Sequence, residues 1–167
     1  DMSNVTLGGN PVSLSGTFPS VGSIAPAFNL TAATLSAVQL ADYVGKRVIL
    51  NIFPSVDTPT CAMSVRQFNS QAAALQNTAI LCISADLPFA QARFCGAEGL
   101  ENVVSLSTFR SASFATDYGV AIDSLPLQGL CARAVVVIGS DGVVLHSELV
   151  SEIKNEPDYA AALATLA

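Results

Sequence analysis

The chain has 167 residues, 51 % of them hydrophobic, and its 13 acidic and 7 basic side chains leave a formal charge of -6. That length suits a single domain with a well-filled core, and the acidic balance excludes a basic stripe for nucleic acid or an anionic membrane, since only Lys46 and Arg47 among the basic residues are adjacent. Mean hydropathy is +0.52, yet no aliphatic run approaches the ~18 residues of a membrane span, and residues 1–5 lack the basic and apolar segments of a secretory signal, so the expectation is a cytoplasmic protein.

Residues 5–7 and 12–14 alternate across Gly8-Gly9-Asn10-Pro11, predicting an N-terminal β-hairpin over about residues 4–16. A Pro/Gly/Ser-rich passage then leads to an extended piece at 28–31 and a helical turn at 40–45 closed by Gly45. Residues 47–53 are β-branched and aliphatic, Pro54 breaks the run, and Val65, Phe68, Ala72 and Leu75 follow at helical spacing. Residues 79–84 read as a fully buried strand, which makes a βαβ unit with parallel strands. A short helix at 88–95, a strand at 103–106 and a helix at 113–118 ending before Gly119 come next. Residues 134–138 and 143–146 form a hairpin around Gly139-Ser140-Asp141-Gly142, and a helix at 158–166 ends the chain. No internal repeat or domain boundary stands out, so residues 1–167 are expected to form one domain. A βαβ half followed by a hairpin and a final helix is the layout of a thioredoxin-like α/β fold, with a central mixed β-sheet flanked by helices.

The chemistry concentrates at Thr58-Pro59-Thr60-Cys61. Thr58 suits the N-cap, Pro59 the first helical position, and Cys61 then falls third, where backbone amides lack intrahelical acceptors. Those amides and the positive end of the helix dipole favour thiolate over thiol. The competing reading makes Thr58 a cap alone and Cys61 a small buried hydrophobe. The other cysteines are Cys82, Cys95 and Cys131; with no C-x-x-C pair and His146 as the lone histidine, the spacing is poor for a metal site. Without an export signal the thiols are expected to be reduced, and any disulfide to be catalytic.

Residues 53–61, Phe53-Pro54-Ser55-Val56-Asp57-Thr58-Pro59-Thr60-Cys61, resemble the P-x-x-x-T-x-x-C segment of the peroxiredoxins. Together with the N-terminal hairpin, Cys95 and the stretch Gly129-Leu130-Cys131-Ala132-Arg133-Ala134-Val135, the chain is similar along nearly its whole length to the atypical two-cysteine subfamily. The resemblance implies a bacterial antioxidant enzyme that reduces hydrogen peroxide and alkyl hydroperoxides without a cofactor. It implies that Cys61 is the peroxidatic thiol, that Cys95 resolves it through an intrasubunit disulfide, and that thioredoxin recycles the pair. It also implies a homodimer, with Thr58, Pro54 and Arg133 completing the site.

Each role fits its residue type. Arg133 is a permanently charged fork able to hold a thiolate and a peroxide oxygen, Thr58 can accept from or donate to the peroxide, and Pro54 offers no N–H and can wall off water. On the residues alone, Arg133 also reads as a surface arginine at the start of a strand, Pro54 as a strand terminator, and Cys95 as either a resolving or a half-buried structural thiol. Cys82 reads as an inert core thiol. Cys131, if extended, faces the same side as Arg133, where the family pattern has an aliphatic residue, which would put another thiol near the pocket; a packing role is the preferred reading. His146 reads as structural or solvent-facing rather than as a general base. A thioredoxin-like disulfide oxidoreductase is disfavoured because Thr58 and Ser64 stand where a second cysteine would pair with Cys61. A non-enzymatic redox-sensing thiol protein needs the same Cys61 and remains the alternative.

Overall fold

The computed structural model describes residues 4–167. Strands β1 (Thr6–Leu7) and β2 (Asn10–Pro11) make the N-terminal hairpin, which is tighter than its sequence suggests: Thr6 faces Pro11 and Leu7 faces Asn10. Only Gly8 and Gly9 are left for the turn, at φ of 58° and 84°. A two-residue turn that matches strand twist needs this left-handed pair, and glycine adopts it without steric cost. Leu14 lies outside the hairpin, in β3 (Leu14–Ser15), which pairs with β9 (Ala121–Ile122).

The central sheet has seven strands. They are β4 (Asn29–Ala32), β5 (Ala37–Gln39), β6 (Arg47–Ile52), β7 (Thr78–Ser84), β8 (Val104–Ser107), β10 (Ala134–Ile138) and β11 (Val144–Leu149). Their order is β11-β10-β6-β7-β8-β4-β5. The β6, β7 and β8 pairings are parallel and the others antiparallel, so the sheet is mixed, as expected. Helices α1 (Pro59–Ala72), α2 (Pro88–Glu98) and α4 (Tyr159–Ala164) pack on one face, where Ile49, Cys82, Val135 and Val137 meet Phe68, Phe94 and Ala162. On the other face Leu50, Leu81, Ile83 and Val136 meet Phe28, Tyr118 and Phe114, the last from α3 (Phe114–Asp117). Alternate residues of each strand serve alternate cores, which is why β10 is hydrophobic throughout and β6 is so from Val48 to Leu50. Burying a side chain such as Phe68 completely contributes about 1.5–3 kcal/mol.

Several elements differ from the sequence expectation. Strands β5 and β9 are too short to show a period, and tertiary pairing with β4 and β3 creates them. Helix α2 runs past residue 95 to Glu98, where Gly99 at φ 66° ends it in the left-handed conformation. Val143 leaves the last hairpin and bridges to Ile24, while β11 continues to Leu149.

The register of the sheet positions the site. Strand β10 runs antiparallel to β6 with Ala134 opposite Ile52, so residues just before β10 lie beside the loop just after β6. The carboxyl ends of the parallel strands β6 and β7 also lead into α1 and α2 at this edge.

Candidate active site

The loop after β6 folds back on itself before α1 begins. Thr58 occupies the N-cap with extended backbone (φ -111°, ψ 146°), and its carbonyl accepts from the Ala62 amide at 3.0 Å. Its side chain does not cap the helix, contrary to expectation. The hydroxyl donates instead to the Ser55 carbonyl at 3.0 Å, the acceptor to which the turn also carries the Thr58 amide. Thr60 and Cys61 follow Pro59 at the second and third helical positions, so their amides have no intrahelical acceptor. The start of the helix is tied to the sheet and to a distant loop. Asn51 on β6 donates to the Ser64 hydroxyl at 3.1 Å, Ser64 donates to the Cys61 carbonyl at 2.8 Å, and the Thr60 hydroxyl donates to the Lys154 carbonyl at 3.0 Å.

Cys61 is fully buried, and Arg133 reaches it across the β6–β10 pairing. The Arg133 Nη2 donates to Cys61 Sγ at 3.2 Å and its Nε to the Ile153 carbonyl at 2.8 Å. Arg133 is 2 % exposed, so it is no surface arginine. Its Nη1 is buried without a partner among the described residues. A cavity of about 440 Å³ adjoins this group, lined by Pro54, Thr58 and Arg133 together with Leu7, Leu130 and Ile153. Its volume is within the range that holds small organic ligands, and its apolar wall with a few polar groups is the usual composition of such sites.

The structure thus gathers Pro54, Thr58, Cys61 and Arg133 in one place and leaves Cys95 outside it. Cys95 sits half-buried in the last turn of α2, with Sγ 3.3 Å from the Ser105 hydroxyl of β8. Cys61 and Cys95 are free thiols turned to different neighbours. Burial pushes the Cys82 thiol up to about 12, as it does that of Cys131. Cys131 does not share the Arg133 pocket: regular extension begins only at Ala134, and the Cys131 side chain packs in the core on the sheet face away from Cys61. His146 lies half-buried on β11 opposite Val137, far along the strand from the cavity-lining residues.

Two carboxylates escaped the sequence reading. Asp86, two residues beyond β7, accepts from the Ser55 hydroxyl at 2.7 Å, the Val56 amide at 2.9 Å and the Ser84 hydroxyl at 2.6 Å, and so holds the loop that precedes Cys61. Its place at the carboxyl end of a parallel strand was a usable signal, since such ends commonly carry sites. Glu152 accepts from the Thr6 hydroxyl and from the Gly8, Gly9 and Lys154 amides, and no local pattern announces it.

Comparison with known proteins identifies the family of the chain. The profile of the Redoxin family matches residues 20–163. A thiol peroxidase of Mycobacterium bovis is 58 % identical over 165 residues, covering 99 % of both chains. Among solved structures, a peroxiredoxin-like protein from Aquifex aeolicus superposes with a TM-score of 0.92 at 35 % identity, over 97 % of this chain and 94 % of the other. A thiol peroxidase from Chromobacterium violaceum does so with a TM-score of 0.90 at 26 % identity, over the same shares. Among the described residues no helix is long and apolar enough to cross a membrane. With its fold, its cysteine-bearing helix start and a full-length relative all in agreement, the chain belongs to the redoxin family as a thiol peroxidase of the peroxiredoxin type.

Proposed function

We propose that this peroxidase reduces hydrogen peroxide and alkyl hydroperoxides through a Cys61 sulfenic acid and a Cys61–Cys95 disulfide. The observation that carries the reading is the 3.2 Å contact between the buried Arg133 guanidinium and Cys61 Sγ. The ion pairs among the described residues are Arg66–Glu98 and Arg93–Asp57, so no carboxylate balances Arg133. A buried cation without an anion costs several kcal/mol, roughly what breaking a buried pair costs, and a thiolate at Cys61 removes that penalty.

The thiolate attacks the far oxygen of the peroxide. An S–O bond forms as the O–O bond breaks, and the leaving alkoxide or hydroxide takes a proton to become alcohol or water. The free Nη1 of Arg133 and the Cys61 amide donate to the oxygens on which charge develops. Thr58, whose own proton goes to the Ser55 carbonyl, keeps lone pairs to accept from the hydroperoxide O–H. Pro54 is buried against the cavity and presents no donor to compete.

Cys61 is left as sulfenic acid. Cys95 gives up its thiol proton and attacks that sulfur; an S–S bond forms as the S–O bond breaks, and the hydroxide leaves as water with that proton. Because Cys95 faces Ser105, disulfide geometry requires the end of α2 to unwind. The end is suited to this: its carbonyl partners come only from Gly99 and Leu100, and residues 96–99 are exposed. A dithiol reductant then regenerates both thiols by exchange. The family resemblance supports thioredoxin as that reductant, a homodimer, and a bacterial cytoplasmic setting with a role in antioxidant defence.

A coupled thioredoxin assay with hydrogen peroxide and cumene hydroperoxide tests the reading. Cys61→Ser should abolish turnover, whereas Cys95→Ser should reduce one equivalent of peroxide and then stall. Normal recycling by Cys95→Ser would remove that residue from its role. A single slow oxidation of the wild type, with tight capture of a partner protein, would favour the redox-sensing alternative.

A further inference from the structure

A row of three side chains crosses the sheet beneath both thiol-bearing helices. Asn51 of β6 faces Cys82 of β7, which faces Ser105 of β8, so all three stand on the same side of the sheet. At one end of the row Asn51 Nδ2 donates to the Ser64 hydroxyl at 3.1 Å, and that hydroxyl donates to the Cys61 carbonyl at 2.8 Å. At the other end the Ser105 hydroxyl lies 3.3 Å from Cys95 Sγ. Asn51 and Ser64 are both fully buried. Ser70 makes the same kind of bond to the Gln67 carbonyl on an exposed part of α1, whereas the Ser64 hydroxyl also accepts from the sheet. Stability alone does not favour this pair: Asn51 Oδ1 is buried without a partner among the described residues, and apolar side chains at 51 and 64 would leave no polar group of the pair behind.

We infer that Asn51, acting through Ser64, is a positioning residue that keeps the Cys61 turn wound and so sets the delay between sulfenic acid and disulfide. The inference rests on the proposed Cys61–Cys95 disulfide and names what paces it. Asn51 and Ser105 stand two strands apart, roughly 10 Å, whereas a disulfide needs its Cα atoms within about 7 Å. Cys61 approaches Cys95 as its turn unwinds, and the bond from Ser64 to the Cys61 carbonyl must then break. Donation from Asn51 directs the Ser64 hydroxyl and strengthens that bond. While the turn is wound, the sulfenic acid stays beside Arg133. There a second hydroperoxide can oxidise it to sulfinic acid, itself becoming alcohol or water. Losing the tie raises the unwound fraction while the wound form stays dominant, so the disulfide step quickens and the peroxide step changes little.

The test follows an equimolar pulse of hydrogen peroxide on the full chain, reduced beforehand, as wild type, Asn51→Val, Ser64→Ala and the two combined. Rapid acid quench and mass spectrometry separate thiol, sulfenic acid and disulfide at each time. The expected result is a disulfide step faster by about three-fold or more in every variant, the weight of one hydrogen bond, with a sulfenic step close to that of wild type. Excess peroxide should then leave correspondingly less sulfinic acid on Cys61. A purely structural loss would slow both steps instead. Because Asn51 acts through Ser64, the combined variant should be no faster than Ser64→Ala, and gains that add would overturn that route. Thermal melting confirms folding, and should a single variant fail to fold, the combined one decides against wild type. A smaller gain, where the wild type forms the Cys61–Cys95 bond, overturns the role of Asn51 and leaves the disulfide assignment intact. A wild type that forms no such bond overturns both.

Discussion

Arg133 shows how one side chain ties the chemistry together. It spends Nε on the Ile153 carbonyl and Nη2 on Cys61, which leaves Nη1 without a partner among the described residues and, in the proposed reaction, for the peroxide. A planar fork can serve three directions at once; a lysine ammonium at the same place is a compact point charge on a flexible stem. Arg133→Lys should therefore keep the charge yet lower the rate of peroxide reduction by about 10²-fold, the usual effect of losing one oriented donor. Stopped-flow single turnover with hydrogen peroxide measures this, and a rate within a few-fold of wild type would contradict the fork geometry. Cys61 was legible in the chain because its signal is local: a strand, a proline and a cap within a few residues. The Thr58 hydroxyl was misjudged as a cap, since it turns to the Ser55 carbonyl instead, whereas the preferred packing role of Cys131 agrees with its place in the core.

Helices α1 and α2 are fastened unequally. Helix α2 buries Pro88, Gln91 and Phe94 near its start, and Gln91 donates to the Leu106 carbonyl at 2.9 Å, whereas its last residues are exposed. The ion pair Arg66–Glu98, which joins the two helices, and Arg93–Asp57, which joins α2 to the loop before α1, involve side chains 35–61 % exposed, so they hold α2 only weakly. This asymmetry suits the proposed opening of the Cys95 turn while the start of the helix stays attached. The loop before α1 depends on Asp86 instead. Asp86→Ala strips the acceptor from the Val56 amide and the Ser55 hydroxyl, and should cost about 1–3 kcal/mol. For a chain of this length that is a drop in Tm of about 2–4 °C for each kcal/mol, readable by circular dichroism. A Tm unchanged from wild type would mean that water replaces Asp86 without loss.

Across the molecule, the N-terminal hairpin is clasped to the loop after β11 through Glu152. The Lys154, Gly8 and Gly9 amides hold its carboxyl down to about 2, against an ordinary value of 4.5. As pH falls, the unfolded chain takes up this proton first, so the stabilisation is complete above about pH 4.5 and is lost progressively toward about pH 2. Glu152→Gln should thus melt below wild type at neutral pH but lose less Tm between pH 5 and pH 3, while parallel melting curves would show that the clasp carries no acid sensitivity. The chain alone specified the longer strands and helices and the cysteine-bearing helix start, because period and turn chemistry act over a few residues. Only the folded sheet could bring Arg133 to a sulfur 72 positions away, or Glu152 to a glycine 144 positions away. Such pairings depend on strand order and register, and nothing in the spacing of neighbouring residues encodes them.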